Sequence, residues 1–86
     1  MSRPVTPVRV KLFAVAAERV GRDQIVVDVD SPADVGALKL AVCRQFPQLE
    51  PLSTQLLVAV DRQYADDAHA ISAQSEVALI PPVSGG

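Results

Sequence analysis

Val8-Arg9-Val10-Lys11-Leu12 alternates apolar and polar side chains with period two, which predicts a half-buried strand. The residues before it, Met1 to Pro7, hold two prolines and read as a loose leader. Ala14 to Val20 is rich in alanine, with Glu18 and Arg19 compatible with a helix, and Gly21 is placed to end it. A second strand is expected over 24–30, with Ile25, Val27 and Val29 on one face. Val26 on the other face suggests some cover there too. Ser31-Pro32-Ala33-Asp34 reads as a helix start, with Ser31 as N-cap, Pro32 at N1 and the Asp34 carboxylate near the positive helix end. Val35, Leu38, Val42 and Phe46 then form an apolar stripe at helical spacing, and Pro47 ends it for want of an amide proton. Leu49 and Leu52 are expected to pack under the sheet from a connector over 48–55. Leu56 to Val60 reads as a third strand and Val77 to Ile80 as the last, with turns and one short strand over 64–75. One long helix crossing a mixed four- to five-stranded sheet makes the fold class α+β.

Composition narrows the function classes. Eighty-six residues make one small domain with a modest core, and 49% apolar residues make it a folder. Phe13, Phe46 and Tyr64 are the only aromatics, so aliphatic side chains fill that core. A net charge of −2 argues against a basic nucleic-acid footprint. One cysteine excludes an internal disulfide, and with one histidine it cannot complete a four-ligand zinc site. The apolar runs are short for a membrane span and no signal-peptide core is seen, so a cytoplasmic protein is expected. Charge is uneven: residues 1–44 carry seven basic and five acidic side chains, residues 45–86 one basic and five acidic. The acidic second half suits a partner with a basic surface or serves as ordinary solubilising charge.

Few residues inside the domain offer chemistry. Cys43 lies on or beside the stripe of the long helix, away from a helix N-terminus, and reads as a structural thiol. His69 has no ligating neighbour at metal spacing, and Asp66-Asp67 reads as a solvated turn. The glycines, at 21, 36, 85 and 86, form neither a phosphate-binding loop nor a dinucleotide motif.

The informative feature is the end, Ile80-Pro81-Pro82-Val83-Ser84-Gly85-Gly86. A strand runs into two stiffening prolines and then into a tail without bulk. The residues after Pro82 reach at most about 13–14 Å when extended. Gly85 and Gly86 carry no side chain, so the tail can thread a channel too narrow for a Cβ and present its α-carboxylate beyond it.

Val10-Lys11-Leu12-Phe13-Ala14, Gly21, Leu56-Leu57-Val58-Ala59-Val60 and above all Pro81-Pro82-Val83-Ser84-Gly85-Gly86 resemble the small, sulfur-carrier subunit of molybdopterin synthase. The resemblance covers residues 8–86 and implies the ubiquitin-like β-grasp fold, with a domain over 8–82 and an extended tail over 83–86. This family often has an acidic-glycine turn before the last strand, where this chain has Ala73-Gln74-Ser75-Glu76, and Asn after the third strand, where it has Asp61. The implied function is sulfur carriage in molybdenum cofactor biosynthesis. A ubiquitin-activating-like adenylyltransferase using ATP and Mg²⁺ would adenylate Gly86, and a sulfur donor would convert it to a thiocarboxylate. Pro81, Pro82, Val83, Ser84 and Gly85 would thread the large catalytic subunit, where the sulfur attacks cyclic pyranopterin monophosphate. The resemblance thus implies a chain that is not catalytic alone, binds no cofactor and assembles with the large subunit as a heterotetramer.

Docking needs an exposed patch. If Val8, Val10 and Leu12 face the helix, Phe13 falls out of step, and if Val77 and Leu79 face inward, Ile80 faces out. Phe13, Tyr64 and Ile80 also match positions where the resemblance implies apolar, partner-meeting side chains. The alternatives are a sulfur carrier for thiamine or cysteine biosynthesis, a protein modifier joined through Gly86 to lysines, and a non-covalent β-grasp module.

Overall fold

The structure, a computed structural model, describes residues 4–81. Five strands form one mixed sheet in the order β2-β1-β5-β3-β4: β1 Val5–Leu12, β2 Gln24–Asp30, β3 Leu57–Val60, β4 Gln63–Tyr64 and β5 Val77–Ile80. β1 runs antiparallel to β2 and parallel to β5, while β3 is antiparallel to both β5 and β4. The helices are α1 (Ala14–Val20) and α2 (Val35–Gln45), with a short 3₁₀ segment over Pro47–Leu52. This is the α+β architecture expected from the residue pattern.

β1 begins at Val5, not at Val8, so residues 5–7, expected in the leader, lie in the strand. Pro7 is tolerated because of its parity. It stands opposite Asp28, whose N–H and C=O bond the Gln45 side chain, so the pair does not exchange ladder bonds. α1 ends where Gly21 takes φ +82°, a conformation that favours glycine, and donates to the Ala17 carbonyl at 2.8 Å.

The start of α2 is corrected. Asp34, expected at N3, is the N-cap: its backbone is extended and its Oδ1 accepts from the Ala37 N–H at 2.7 Å. Ser31 and Pro32 lie outside the helix. The next free helix donors are taken by the chain between β4 and β5: the Val35 N–H donates to the His69 carbonyl at 3.0 Å and the Gly36 N–H to the Asp67 carbonyl at 2.9 Å. A Cβ at Gly36 would stand 3.4 Å from that Asp67 oxygen, an ordinary van der Waals contact, so the approach does not itself demand glycine. Pro47 stops α2 as expected, because the residue before a proline is driven out of helical dihedrals (Phe46 has φ −130°, ψ 76°).

Val35, Leu38 and Val42 are buried as the stripe predicts, joined by Ala41, while Phe46 is half-buried against the core. Leu49 is buried and Leu52 packs beside it. Beneath them lie Val8, Val10, Leu12, Ile25, Val27, Val29, Val58, Val60, Val77 and Leu79, the alternate residues of the four longer strands. The cover expected over Val26 is absent among the described residues: Val26 is exposed and stands opposite Arg9 on the open sheet face.

Candidate functional site

Strand register assembles the expected patch. Lys11 of β1, Ala78 of β5, Ala59 of β3 and Tyr64 of β4 stand side by side across the sheet. Leu57 pairs with Ile80 one step along the strands. Directly opposed residues share a face, and the intervening Leu12, Leu79 and Val58 are buried on the other side, so these residues lie on the open face. Phe13 leaves β1 after Leu12 and lines a shallow depression with Lys11, Ala59, Arg62, Glu76 and Ala78.

Phe13, Tyr64 and Ile80, singled out in the sequence, therefore occupy one face. Phe13 is 48% exposed and Tyr64 70%, while Ile80 is half-buried beside them. The small side chains of Ala59 and Ala78 leave the floor between them low. Leu57, 48% exposed, belongs to the same patch and was missed. Its signal was available: with Val58 and Val60 inward, strand parity turns Leu57 outward.

The rim is charged and locally strained. Glu76 holds Lys11 Nζ at 3.7 Å and Arg62 Nε at 3.5 Å. Arg62, the lone basic residue of the acidic second half, reached no notice in the sequence because a single turn cation has no pattern. Asp61 and Arg62 form the two-residue β3–β4 turn with φ +51° and +71°, the positive values that suit strand twist but disfavour side chains. Asp61 is fixed by two bonds: its N–H donates to the Glu76 carbonyl (2.8 Å), and its Oδ1 accepts from the Glu76 N–H (3.0 Å). Ala14, beside Phe13, also has positive φ, +51°. Of the positive-φ residues other than glycine among the described residues, Arg62 lines this depression, and Asp61 and Ala14 adjoin its lining residues Arg62 and Phe13 in sequence.

At both positions where this chain departs from the pattern it resembles, local hydrogen bonds close the turn. Asp61 makes the side-chain bond just described. The turn before β5 is closed by serines: the Ser75 N–H donates to the Ser72 carbonyl at 3.1 Å and the Ser72 N–H to Ser75 Oγ at 2.9 Å.

β5 delivers the chain to Pro81 from between β1 and β3, and Pro81 itself is buried. Pro82, Val83, Ser84, Gly85 and Gly86 lie outside the described residues. Cys43 is half-buried on α2, and burial together with the nearby Glu50 charge pushes its thiol up, against a lowering hydrogen bond from Ser53. That favours the thiol over the nucleophilic thiolate. His69 is exposed, and Asp67 pairs with Lys39 Nζ at 2.8 Å. Among the described residues no three His, Cys, Asp or Glu side chains gather to hold a metal, and no helix is long and apolar enough to cross a membrane.

Comparison with known proteins places the chain in a family. The model described as "ThiS family" matches residues 10–86. The human molybdopterin synthase sulfur carrier subunit is 32% identical over 88 residues, covering 96% of this chain and 98% of its own length. Small archaeal modifier protein 1 of Haloferax volcanii is 38% identical over 84 residues, covering 88% and 97%. A crystal structure of that modifier superposes with a TM-score of 0.79 at 34% identity, over 93% of this chain and 99% of the other. The matched length and shared architecture agree with the residue motifs: the chain belongs to the ThiS family, with the ubiquitin-like β-grasp fold.

Proposed function

We propose that this chain is the small, sulfur-carrier subunit of a molybdopterin synthase, working through the carboxylate of Gly86. The observation that carries this reading is that the family match runs through residue 86, taking in the Gly-Gly end. The similarity to the human sulfur carrier subunit supports the pathway. A free carboxylate is a poor electrophile, because its charge repels nucleophiles and oxide leaves badly. Adenylation by a ubiquitin-activating-like partner, with ATP and Mg²⁺, gives a mixed anhydride and releases pyrophosphate. The terminal sulfur of a donor persulfide then displaces AMP to give an acyl disulfide, and a thiol cleaves its S–S bond, leaving the thiocarboxylate on Gly86 and a disulfide on the donor side. Docked in the large subunit, the tethered sulfur attacks cyclic pyranopterin monophosphate as an effectively intramolecular nucleophile. The open-face patch of Phe13, Leu57, Tyr64 and Ile80 is the docking surface, with the tail leaving beside it from β5. Exposed contiguous apolar groups mark such contacts.

The test is intact mass after incubation with a ubiquitin-activating-like enzyme, ATP, a persulfide donor and a thiol reductant. One oxygen should be replaced by sulfur at Gly86, and the product should convert the pterin precursor when purified large subunit is added. Absence of the mass change with several activating enzymes would overturn the reading. A second reading, a protein modifier, is favoured by the similarity to small archaeal modifier protein 1. Gly86 found in isopeptide linkage to target lysines would support it.

A further inference from the structure

β2 is an outer strand of the sheet, and its free edge is occupied in an unusual way. In the antiparallel ladder with β1, the Leu12 N–H donates to the Asp23 carbonyl at 2.9 Å and the Ser31 N–H to the Pro4 carbonyl at 3.2 Å. Ladder bonds alternate, so Ile25, Val27 and Val29 bond β1, while the backbone groups of Gln24, Val26 and Asp28 point away from it. Such a row of open donors and acceptors is a template for another strand. At Asp28 the row is interrupted. Gln45, the last residue of α2, reaches over with both ends of its carboxamide: Oε1 accepts from the Asp28 N–H at 3.1 Å and Nε2 donates to the Asp28 carbonyl at 2.8 Å. A carboxamide carries the same donor and acceptor as a peptide group, so Gln45 stands where a partner strand's residue would stand.

The edge has a self-complementary register. Pairing β2 with β2 of a second copy about a two-fold axis at Val26 sets Val26 against Val26, and Gln24 against Asp28 on either side. Beyond the strand ends, Arg22 falls opposite Asp30 of the other copy, an attractive pair. Centring on Asp28 would instead oppose two carboxylates. Val26 is 55% exposed, and Leu40, 66% exposed on α2, lines the adjoining groove with Asp28, Asp30 and Arg44. In the favourable register two of the three bonded pairs use the backbone of Asp28, the groups Gln45 already holds.

We propose that the β2 edge is a pairing surface for a second copy of this chain and that the Gln45 side chain holds it shut, keeping the chain monomeric. This does not depend on the proposed sulfur chemistry. Sedimentation equilibrium of the full chain tests it. Wild type should keep the mass of one chain at all concentrations, whereas Gln45→Ala should approach twice that mass as concentration rises. In the paired form the amides of Val26 and Asp28 should exchange slowly together. Adding Val26→Lys to Gln45→Ala should restore the single-chain mass, because two lysines would then face each other across the axis. A folded Gln45→Ala chain that stays single at every concentration overturns the proposal, as does self-association that survives Val26→Lys, or a wild type that already pairs. Gln45→Met, which keeps the side-chain stem and removes both bonding groups, serves if the alanine variant does not fold. If neither folds, Gln45 is needed for the fold itself and the proposal falls.

Discussion

The two faces of the sheet are written by the same strands and have opposite compositions. The face under α2 and the 3₁₀ segment carries aliphatic side chains that are almost wholly buried, Val8, Val10, Val27, Val77 and Leu79 among them. Their neighbours in sequence, Arg9, Lys11, Val26 and Ala78, look the other way, and no helix covers them among the described residues. The open face is itself divided. Its β2–β1 side mixes Gln24, Val26, Asp28 and Arg9, while its β5–β3–β4 side gathers Ile80, Leu57, Ala59 and Tyr64. The lesson is a division of labour by parity. One face supplies what a small domain needs to stay folded, which leaves the other free to expose apolar side chains.

That contrast can be broken by substitution, and the largest effect should come from the covered face. Leu79→Ala removes a fully buried side chain and should cost about 2–5 kcal/mol in urea unfolding. A cost below about 1 kcal/mol, the range of unexceptional sites, would show that β5 contributes little to the core. On the open face the balance should invert. Tyr64→Ala and Phe13→Ala should each change stability by no more than about 0.5 kcal/mol. Each should weaken titration calorimetry binding to the large subunit of molybdopterin synthase by about tenfold, the scale of a contact worth about 1.4 kcal/mol. Unchanged affinity in both would remove the patch from the docking surface.

Asp34→Ala removes the cap that starts the covering helix and should cost about 1 kcal/mol, read as a lower urea midpoint with an unchanged slope. The smallest effect concerns Cys43, at the flank of α2. Burial and Glu50 raise its pKa above the ordinary thiol value, so at mildly alkaline pH the folded chain holds less thiolate than the unfolded one. Alkylation should therefore run slower in native buffer than in urea. By linkage, the stability this proton contributes is fully present below the unfolded thiol's pKa and is lost as pH rises through the folded one. Equal alkylation rates in both states would contradict that order.

Much of the contrast was legible in the sequence because it rests on period two. The parity of Val8, Val10 and Leu12 and of Val77 and Leu79 set the inward face, and the same parity put Phe13 and Ile80 on the other. The start of α2 was misplaced because Ser31-Pro32 and Asp34 both carry helix-start chemistry. Tertiary contact decided between them, since the carbonyls of Asp67 and His69 cap the donors that follow Asp34. Val26 misled for a related reason: a lone valine on a polar face looks like half of a buried one until its cross-strand neighbour, Arg9, is known. The Asp61–Glu76 and Gln45–Asp28 bonds join residues 15 and 17 apart in sequence, and no local pattern announces such pairs. The proposed docking residues Phe13, Tyr64 and Ile80 were picked out through resemblance as much as parity, and the Gly-Gly end was read from the letters alone.

The position of β5 has a mechanical consequence. It is held in parallel by β1 on one flank and antiparallel by β3 on the other, and the chain continues from its end through Pro81. A pull on the residues beyond Pro81 acts along the strand axis and loads both ladders in shear, so their hydrogen bonds must yield together instead of unzipping one after another. The strand that carries the tail is thereby anchored on both flanks against withdrawal force. A partner that grips or drags this terminus would move the domain as a whole before it unravelled it.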